Sequence, residues 1–262
     1  MKTYISSRNN ETVVSLAKLK DKKERDLSGL YLCEGFKLCR EAAGLVQVKY
    51  ALVRENKAEN EEYISLAEES GGEVVTLSEG AFDKITTDKA SDGIIFIVKK
   101  NEGNEVCAED IKDERICMLD SVRDPGNVGT ILRSAAAFGF DRVVLHDCAD
   151  IYNPKTVRAS MGALFKIKTA ETDDVVSFIK QLQKTGRRVI ATALSDNSMT
   201  LGRSKIYRSD CPVLGNEGHG VSVDVINACD ASMIIPMSSK TESLNAAAAA
   251  AVILWEYGRE EL

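Results

Sequence analysis

From residue 116 onward the chain alternates short apolar runs with helix-like stretches. The runs are ICMLD (116–120), RVVLH (142–146), RVIATAL (188–194), CPVLG (211–215) and ASMIIPM (231–237), and the helical segments are 128–138, 153–162, 173–185, 221–229 and 243–257. Runs this apolar, with no polar residue at every second position, belong to strands buried on both faces. The pattern therefore predicts an α/β fold whose parallel sheet is covered by helices. Ligands of such sheets bind beyond the carboxyl ends of the strands, so the loops after these runs are the places to look for chemistry.

The first hundred residues read differently. Val13, Leu16, Ala17 and Lys20 fall at helical spacing, with Leu19 widening the stripe, and YLCEG (31–35) reads as a strand running into a helix, FKLCREAAG. IIFIV (94–98) is a β-branched run bounded by Asp92-Gly93 and Lys99-Lys100, a buried strand. KKNEGNEVCAEDIKDER (99–115) is polar and rich in Gly, Asn and Glu, and all four prolines (Pro125, Pro154, Pro212, Pro236) lie beyond it. The division expected is a smaller α/β domain over 1–100, a linker over 101–112 and a larger domain over 113–262.

Several function classes are excluded early. No apolar run approaches the roughly 18–20 residues of a membrane span, and MKTYISSRNNETVV has no apolar signal-peptide core, so a cytoplasmic location is expected. The seven cysteines form no CxxC and read as reduced, mostly buried thiols. The two histidines, His146 and His219, lack ligand spacing, which argues against a zinc site or a Ser-His-Asp hydrolase, and no metal is expected. Thirty-four Lys and Arg against forty Asp and Glu leave a net charge of −6, so any nucleic-acid contact must come from local patches. One such patch exists: residues 1–25 hold seven bases (Lys2, Arg8, Lys18, Lys20, Lys22, Lys23, Arg25) and three acids, whereas 53–105 hold six bases and thirteen acids. Composition alone favours reading the basic start as a solvated amphipathic helix over a phosphate-contacting patch.

Four segments carry candidate chemistry. After the strand ending at Asp120, a turn of Arg123, Asp124, Pro125, Gly126 and Asn127 opens a helix, and Arg133 follows Asn127 by fewer than two turns. Gly126 and Gly129 leave the backbone open to a ligand. The segment reads PGNVGT where a dinucleotide fold needs G-x-G-x-x-G, against a Rossmann dehydrogenase or methyltransferase. VLGNEGHGVS (213–222) places three glycines in six residues after a strand, a loop whose bare backbone suits an adenine or ribose edge, with Glu217 at its middle. IIPMSSKTESLNAAAAAAVILWEYG (234–258) leads a strand through a polar loop into a helix, with Ser243 and Asn245 as caps or substrate contacts and six alanines that permit close helix approach. NPKTVRASMGALF (153–165) offers Pro154 in a first turn and Arg158 as either a phosphate contact or an ion-pair partner. Spacing alone separates none of these from capped helices and surface charges.

Taken together, NVGTILR, LGNEGHGVS and IPMSSKTESLNAAAAA resemble, in this order, the three motifs of the SpoU family, AdoMet-dependent RNA ribose 2′-O-methyltransferases of the SPOUT superfamily, over residues 113–262. Motif three departs from many members at Ser238-Ser239 and in its alanine run. Residues 1–100, through ISSRN (5–9), KLKDKKERDLSGLYLCEG (18–35) and SDGIIFIV (91–98), are similar to the L30-like substrate-binding domain of many members.

The resemblance implies a C-terminal trefoil-knotted parallel-sheet SPOUT domain, a rare exception to the rules of chain connection, and a smaller N-terminal L30-like domain. It implies S-adenosyl-L-methionine (AdoMet) as cofactor, held largely by backbone around Thr192, Leu194, Leu214, Gly215, Ile235, Met237 and Leu244, with Glu217 and Asn245 at the same site. It also implies a homodimer, and a catalytic set of Arg133, Asn127, Glu217, Ser243 and Asn245. The RNA would be docked by Arg8, Lys22, Lys23, Arg25, Arg133 and Arg158, and the L30-like domain favours ribosomal over transfer RNA by analogy. Because a guanidinium has a pKa above about 12, Arg133 is more easily a phosphate clamp that positions the ribose than a base. The competing reading is a non-catalytic RNA-binding or ribosome-assembly protein of the same fold, which would have a ruined motif.

Overall fold

A computed structural model describes residues 3–88, 90–101, 106–195, 198–216, 218–240 and 243–259. In chain order the elements are β1 (Thr3–Ile5), α1 (Glu11–Ala17), α2 (Lys22–Ser28), β2 (Leu30–Glu34), α3 (Phe36–Ala42), β3 (Val48–Arg54), α4 (Glu61–Glu69), β4 (Glu73–Leu77), α5 (Glu79–Ile85) and β5 (Ile94–Lys99). There follow β6 (Ile116–Asp120), α6 (Pro125–Ala137), β7 (Arg142–His146), α7 (Pro154–Ser160), β8 (Lys168–Glu171), α8 (Val175–Lys184), β9 (Val189–Thr192), β10 (Met199–Thr200), β11 (Cys211–Leu214), α9 (Val223–Ala228), β12 (Ala231–Ile234) and α10 (Ala246–Gly258). Two compact units emerge, residues 1–101 with 150–165, and residues 102–149 with 166–262. Of the expected linker, residues 102–105 lie outside the described residues.

The first unit is built on a five-stranded sheet in the order β1-β4-β3-β5-β2, parallel among β1, β4 and β3 and antiparallel where β5 meets β3 and β2. Its strands β2 and β5 are buried on both faces because helices cover both. Val13 and Leu16 of α1 and Ala81, Phe82 and Ile85 of α5 close over Ile95 and Ile97, and the alternate side chains of β5 face away from that cluster. Short helices are started by side-chain caps, Asn10, Asp21, Asn60 and Ser78, each accepting a hydrogen bond from a first-turn N–H.

Residues 150–165 complete this unit rather than the strands that flank them in sequence. Two contacts explain why. The ring of Tyr152 lies 4.7 Å from that of Tyr31, and Asp150 receives both Nε (3.0 Å) and Nη2 (2.5 Å) of Arg25. Arg25 was expected on an RNA-facing surface; instead it is 1% exposed, and its remaining nitrogen donates to the carbonyls of Leu19 and Lys20. A guanidinium whose three nitrogens all donate inside the fold is a structural residue.

The second unit is a seven-stranded, wholly parallel sheet in the order β10-β12-β9-β11-β6-β7-β8. One face packs on α8 and α9 through Phe178, Ile179, Leu182 and Val225. The other is covered by α6 and α10, which pack against each other. At their ends a Cβ on Gly258 would sit 2.4 Å from the carbonyl oxygen of Phe138, so no larger residue fits. At the amino ends of the strands Glu114 receives Arg142 Nε at 2.7 Å and Lys168 Nζ at 2.6 Å, tying β6, β7 and β8 together. The edge strands β8 and β10, polar and short, had no apolar signature in the sequence. Among the described residues no helix is long and apolar enough to cross a membrane, and no cluster of His, Cys, Asp and Glu has the makings of a metal site.

Two stability predictions follow from these ion pairs. Asp150→Ala leaves the Arg25 charge buried and unpaired and should cost about 3 kcal/mol in chemical denaturation. For Glu114, burial raises the pKa, but hydrogen bonds from Arg142 and Lys168 outweigh it and hold the carboxyl below its ordinary 4.5. A lowered native pKa contributes stability that is present above the ordinary value and lost as pH falls through the native one. The stability gap between the wild-type protein and Glu114→Gln should therefore be widest near neutrality and close in acid, below the ordinary carboxylate range; a gap that widens in acid would contradict the assignment.

Candidate active site

At the carboxyl ends of β9, β11 and β12 the second unit encloses a cavity of about 700 Å³. Its walls come from Thr192 at the end of β9 with Ala193 and Leu194 beyond it, the loop after β11, and the segment between β12 and α10. Ile226, Met233 and Ile253 supply an apolar floor, and Thr192 Oγ1 donates to the carbonyl of Val213 at 2.8 Å, fixing the first two strand ends together. A cavity of this size and mixed lining suits one small organic ligand.

The loop after β11 is folded around a single side chain. Asn216 Oδ1 accepts from the N–H groups of Gly218 (2.8 Å) and His219 (3.2 Å), while its backbone pairs both ways with Gly220 (2.9 and 3.0 Å). The strands of this loop approach so closely that a Cβ on Gly215 would lie 2.2 Å from the carbonyl carbon of Gly220. Gly215 is required by the space, not by its dihedral angles.

Helix α6 begins with Asp124, whose carboxylate accepts from the N–H of Asn127, and with Pro125 in its first turn. Helix α10 begins with Asn245, whose Oδ1 accepts from the N–H groups of Ala247 and Ala248. The two helix starts are joined side by side, since Asn245 Nδ2 donates to Asn127 Oδ1 at 3.2 Å. Asn245 is thus a cap and a helix-to-helix tie at once. Arg133 projects from α6, exposed, and pairs with no other described residue. A cation held on a rigid helix without a protein partner is available to an anion from outside.

Asp120 ends β6 with 1% of its surface exposed. Its Oδ1 lies 2.9 Å from His146 Nδ1, and its Oδ2 accepts the N–H of Ser222 at 2.9 Å. A carboxylate can only accept here, so Nδ1 is the protonated ring nitrogen. Burial pushes the Asp120 carboxyl up, but the hydrogen bonds from Ser222 and His146 prevail and keep it below its ordinary value. The next residue, Ser121, has φ +59° and receives Asn216 Nδ2 on its carbonyl at 2.8 Å.

Of the residues singled out in the sequence, Thr192, Leu194, Leu214, Gly215, Ile235, Met237, Ser243 and Leu244 all line the cavity. Asn127 and Asn245 meet each other at the helix starts, and Glu217 lies outside the described residues. Gly129 is buried within α6 instead of open to a ligand. Arg8, Lys22 and Lys23 are exposed in the first unit, Lys22 paired with Asp26 at 2.7 Å. Arg158, in the same unit, is half exposed and donates to Thr87 Oγ1 at 2.9 Å, near the buried Glu34 carboxylate. Sequence reasoning missed Asp120, His146 and Asn216 as partners in one network. The available signal was a carboxylate closing the otherwise apolar strand ICMLD, which only a set of donors makes tolerable.

Comparison with known proteins agrees with this geometry. Residues 114–255 match the SpoU rRNA Methylase family and residues 10–95 match the MRM3-like substrate binding domain. Over 252 residues the chain is 32% identical to the 23S rRNA (guanosine(2553)-2′-O)-methyltransferase RlmP of Bacillus subtilis, covering 96% of this chain and 97% of that one. An AdoMet-bound rRNA methyltransferase from Sinorhizobium meliloti matches with a TM-score of 0.85 and 29% identity, over 99% of this chain and 98% of that one. The AdoMet-bound SpoU methyltransferase AviRb from Streptomyces viridochromogenes shares the fold, with a TM-score of 0.84 at 23% identity, over 96% and 98% of the two chains. The parallel sheet, the cavity at its strand ends and the match over most of both units agree: this chain belongs to the SpoU rRNA methylase family.

Proposed function

We infer that this protein is an AdoMet-dependent RNA ribose 2′-O-methyltransferase, that its substrate is ribosomal RNA, and that it works in the cytoplasm as a homodimer. The observation that carries the reading is the coincidence of a ligand-sized cavity at the ends of β9, β11 and β12 with an exposed guanidinium, unpaired among the described residues, on the helix tied to the cavity's last wall by Asn127 and Asn245. The residues present suit AdoMet: apolar walls from Leu214, Ile226 and Met233 alternate with bare backbone at Gly215, Gly218 and Gly220, groups that bind an adenine and a ribose without charged side chains. AdoMet supplies an already activated sulfonium methyl group.

The protein's own residues then have two tasks. The first is to hold a ribose hydroxyl in line with the donor, because methyl transfer depends chiefly on geometry. Arg133 does this by gripping the adjoining phosphate with its planar fork of donors, and the Asn127–Asn245 tie keeps α6 and α10 from shifting under it. The second is to ease the proton from the hydroxyl oxygen; at a site whose cation clamp stays protonated, the proton passes to water or to a neighbouring acceptor. Glu217 and Ser243 carry the orienting roles that the motif resemblance gives them.

The dimer reading is supported by α10, whose Ala248, Val252 and Trp255 form an exposed stripe at helical spacing. The trefoil knot is supported by the path of the last segment: β12 lies beyond β9, yet α10 returns to pack on β11 and α6. RNA docking falls to Arg8, Lys22 and Lys23, with Arg158 at a second position and Arg25 withdrawn into the fold.

With tritiated AdoMet and ribosomal RNA, nucleoside analysis should recover a 2′-O-methylnucleoside; a methylated base, or no incorporation, would sink the reading. Arg133→Ala should lower methylation by about a hundredfold or more while AdoMet affinity stays at the wild-type value in calorimetry. Gly215→Ala should have the opposite signature, a loss of AdoMet affinity of about tenfold or more, as its Cβ would force the 215–220 loop apart.

A further inference from the structure

Resting on the AdoMet reading above, we propose that Asp120 is a positioning residue for AdoMet binding: with the adjoining Ser121 carbonyl, its buried carboxylate fixes both ends of the 215–222 loop in the shape that forms the cavity wall. The loop supplies Gly215, Asn216, Gly218, His219, Gly220 and Val221 to that wall. It is a glycine-rich segment that would sample many conformations if left to itself, and ordering it on ligand binding would cost affinity.

The structure shows where the ordering comes from. At the start of the loop, Asn216 Nδ2 donates to the Ser121 carbonyl at 2.8 Å; at its end, the Ser222 N–H donates to Asp120 Oδ2 at 2.9 Å. The two anchors are consecutive residues of one chain segment, so they hold a fixed separation. That segment is itself braced: Asp120 Oδ1 faces His146 Nδ1 at the end of β7, and the Ser121 N–H donates to the His146 carbonyl at 2.9 Å. Ser121 adopts φ +59°, a conformation a non-glycine residue rarely takes without such support.

A carboxylate is the right group for this place. It offers two oxygens in a fixed plane, one for His146 and one for Ser222, and its charge strengthens both bonds. An isolated buried carboxylate would be strongly disfavoured; here each oxygen has a donor. Beyond Ser121 the same segment enters the turn that starts α6, so the loop that lines the donor site and the helix that bears Arg133 are referenced to one point.

The test is AdoMet binding by calorimetry, with steady-state kinetics, on the full chain. Asp120→Ala should weaken AdoMet by about tenfold or more and raise the KM for AdoMet by the same factor, and Asp120→Asn, which keeps an acceptor for the Ser222 N–H, by about threefold. A merely structural role for Asp120 would lower the melting temperature and leave AdoMet affinity and KM unchanged; that result overturns the proposal. If Asp120→Ala does not fold, Asp120→Asn decides alone, and wild-type affinity in it overturns the proposal. Failure of the wild-type protein itself to take up AdoMet would remove the reading beneath; uptake by the wild type with unaltered variants removes only the role of Asp120.

Discussion

A parallel strand cannot be followed by a hairpin; every strand must be joined to the next by a crossover, and every crossover leaves from the same end of the sheet. In the second unit seven strands obey this constraint, and their carboxyl-terminal loops all emerge on one side. The chemistry is placed by that fact before any side chain is chosen. What remains for the sequence to decide is which of these loops are held still. The loops after β6, β9, β11 and β12 are each fastened to a neighbour: Ser121 to Asn216, Thr192 to Val213, Asp120 to Ser222, Asn127 to Asn245.

These fastenings use neutral amides, hydroxyls and a single buried carboxylate, which fits a site that must take a positively charged donor and a phosphate-bearing substrate together. A salt-bridged wall would present fixed charges to one of the two. Backbone N–H and carbonyl groups, bare at Gly215, Gly218 and Gly220, bind polar edges with little net field. The cation is kept apart on α6, where Arg133 is exposed. The neutral cavity wall and the exposed guanidinium are thus supplied by different elements, the loops after β9, β11 and β12 on one side and α6 on the other.

Much of this was legible in the sequence because the central strands are continuous apolar runs. β6, β7, β9, β11 and β12 coincide with the five runs to within a few residues, and the cavity-lining positions Leu214, Gly215, Ile235 and Leu244 follow from the motifs. What could not be read has a physical reason in each case. Lys168–Glu171 and Met199–Thr200 are edge strands, one side of which needs no apolar cover, so they lack the signature. Residues 150–165 have helical spacing and a proline start, but spacing does not say which core buries Val157. Arg25 looked like one of several surface cations; only the folded chain brings Asp150, far away in sequence, to its guanidinium. Asp120 looked like the end of a strand, and its donors at Ser222 and His146 are again distant in sequence.

The burial of Arg25 bears on how an acidic protein meets RNA. With a net charge of −6, the chain as a whole is repelled by a polyanion, so association depends on a local field within about one Debye length, roughly 8 Å at physiological salt. The basic patch in the first twenty-five residues is smaller than its count suggests. Arg25 is cancelled by Asp150 inside the fold and Lys22 is shared with Asp26. Arg8 and Lys23 remain exposed, while the acidic residues of α4 and its surroundings disfavour any docking that exposes phosphates to that part of the unit. Few positive charges and a repulsive remainder give weak non-specific binding, and because few phosphates are neutralised its salt dependence is shallow. Selection of one ribose must then come from the shape of the folded RNA instead of from general attraction to phosphate.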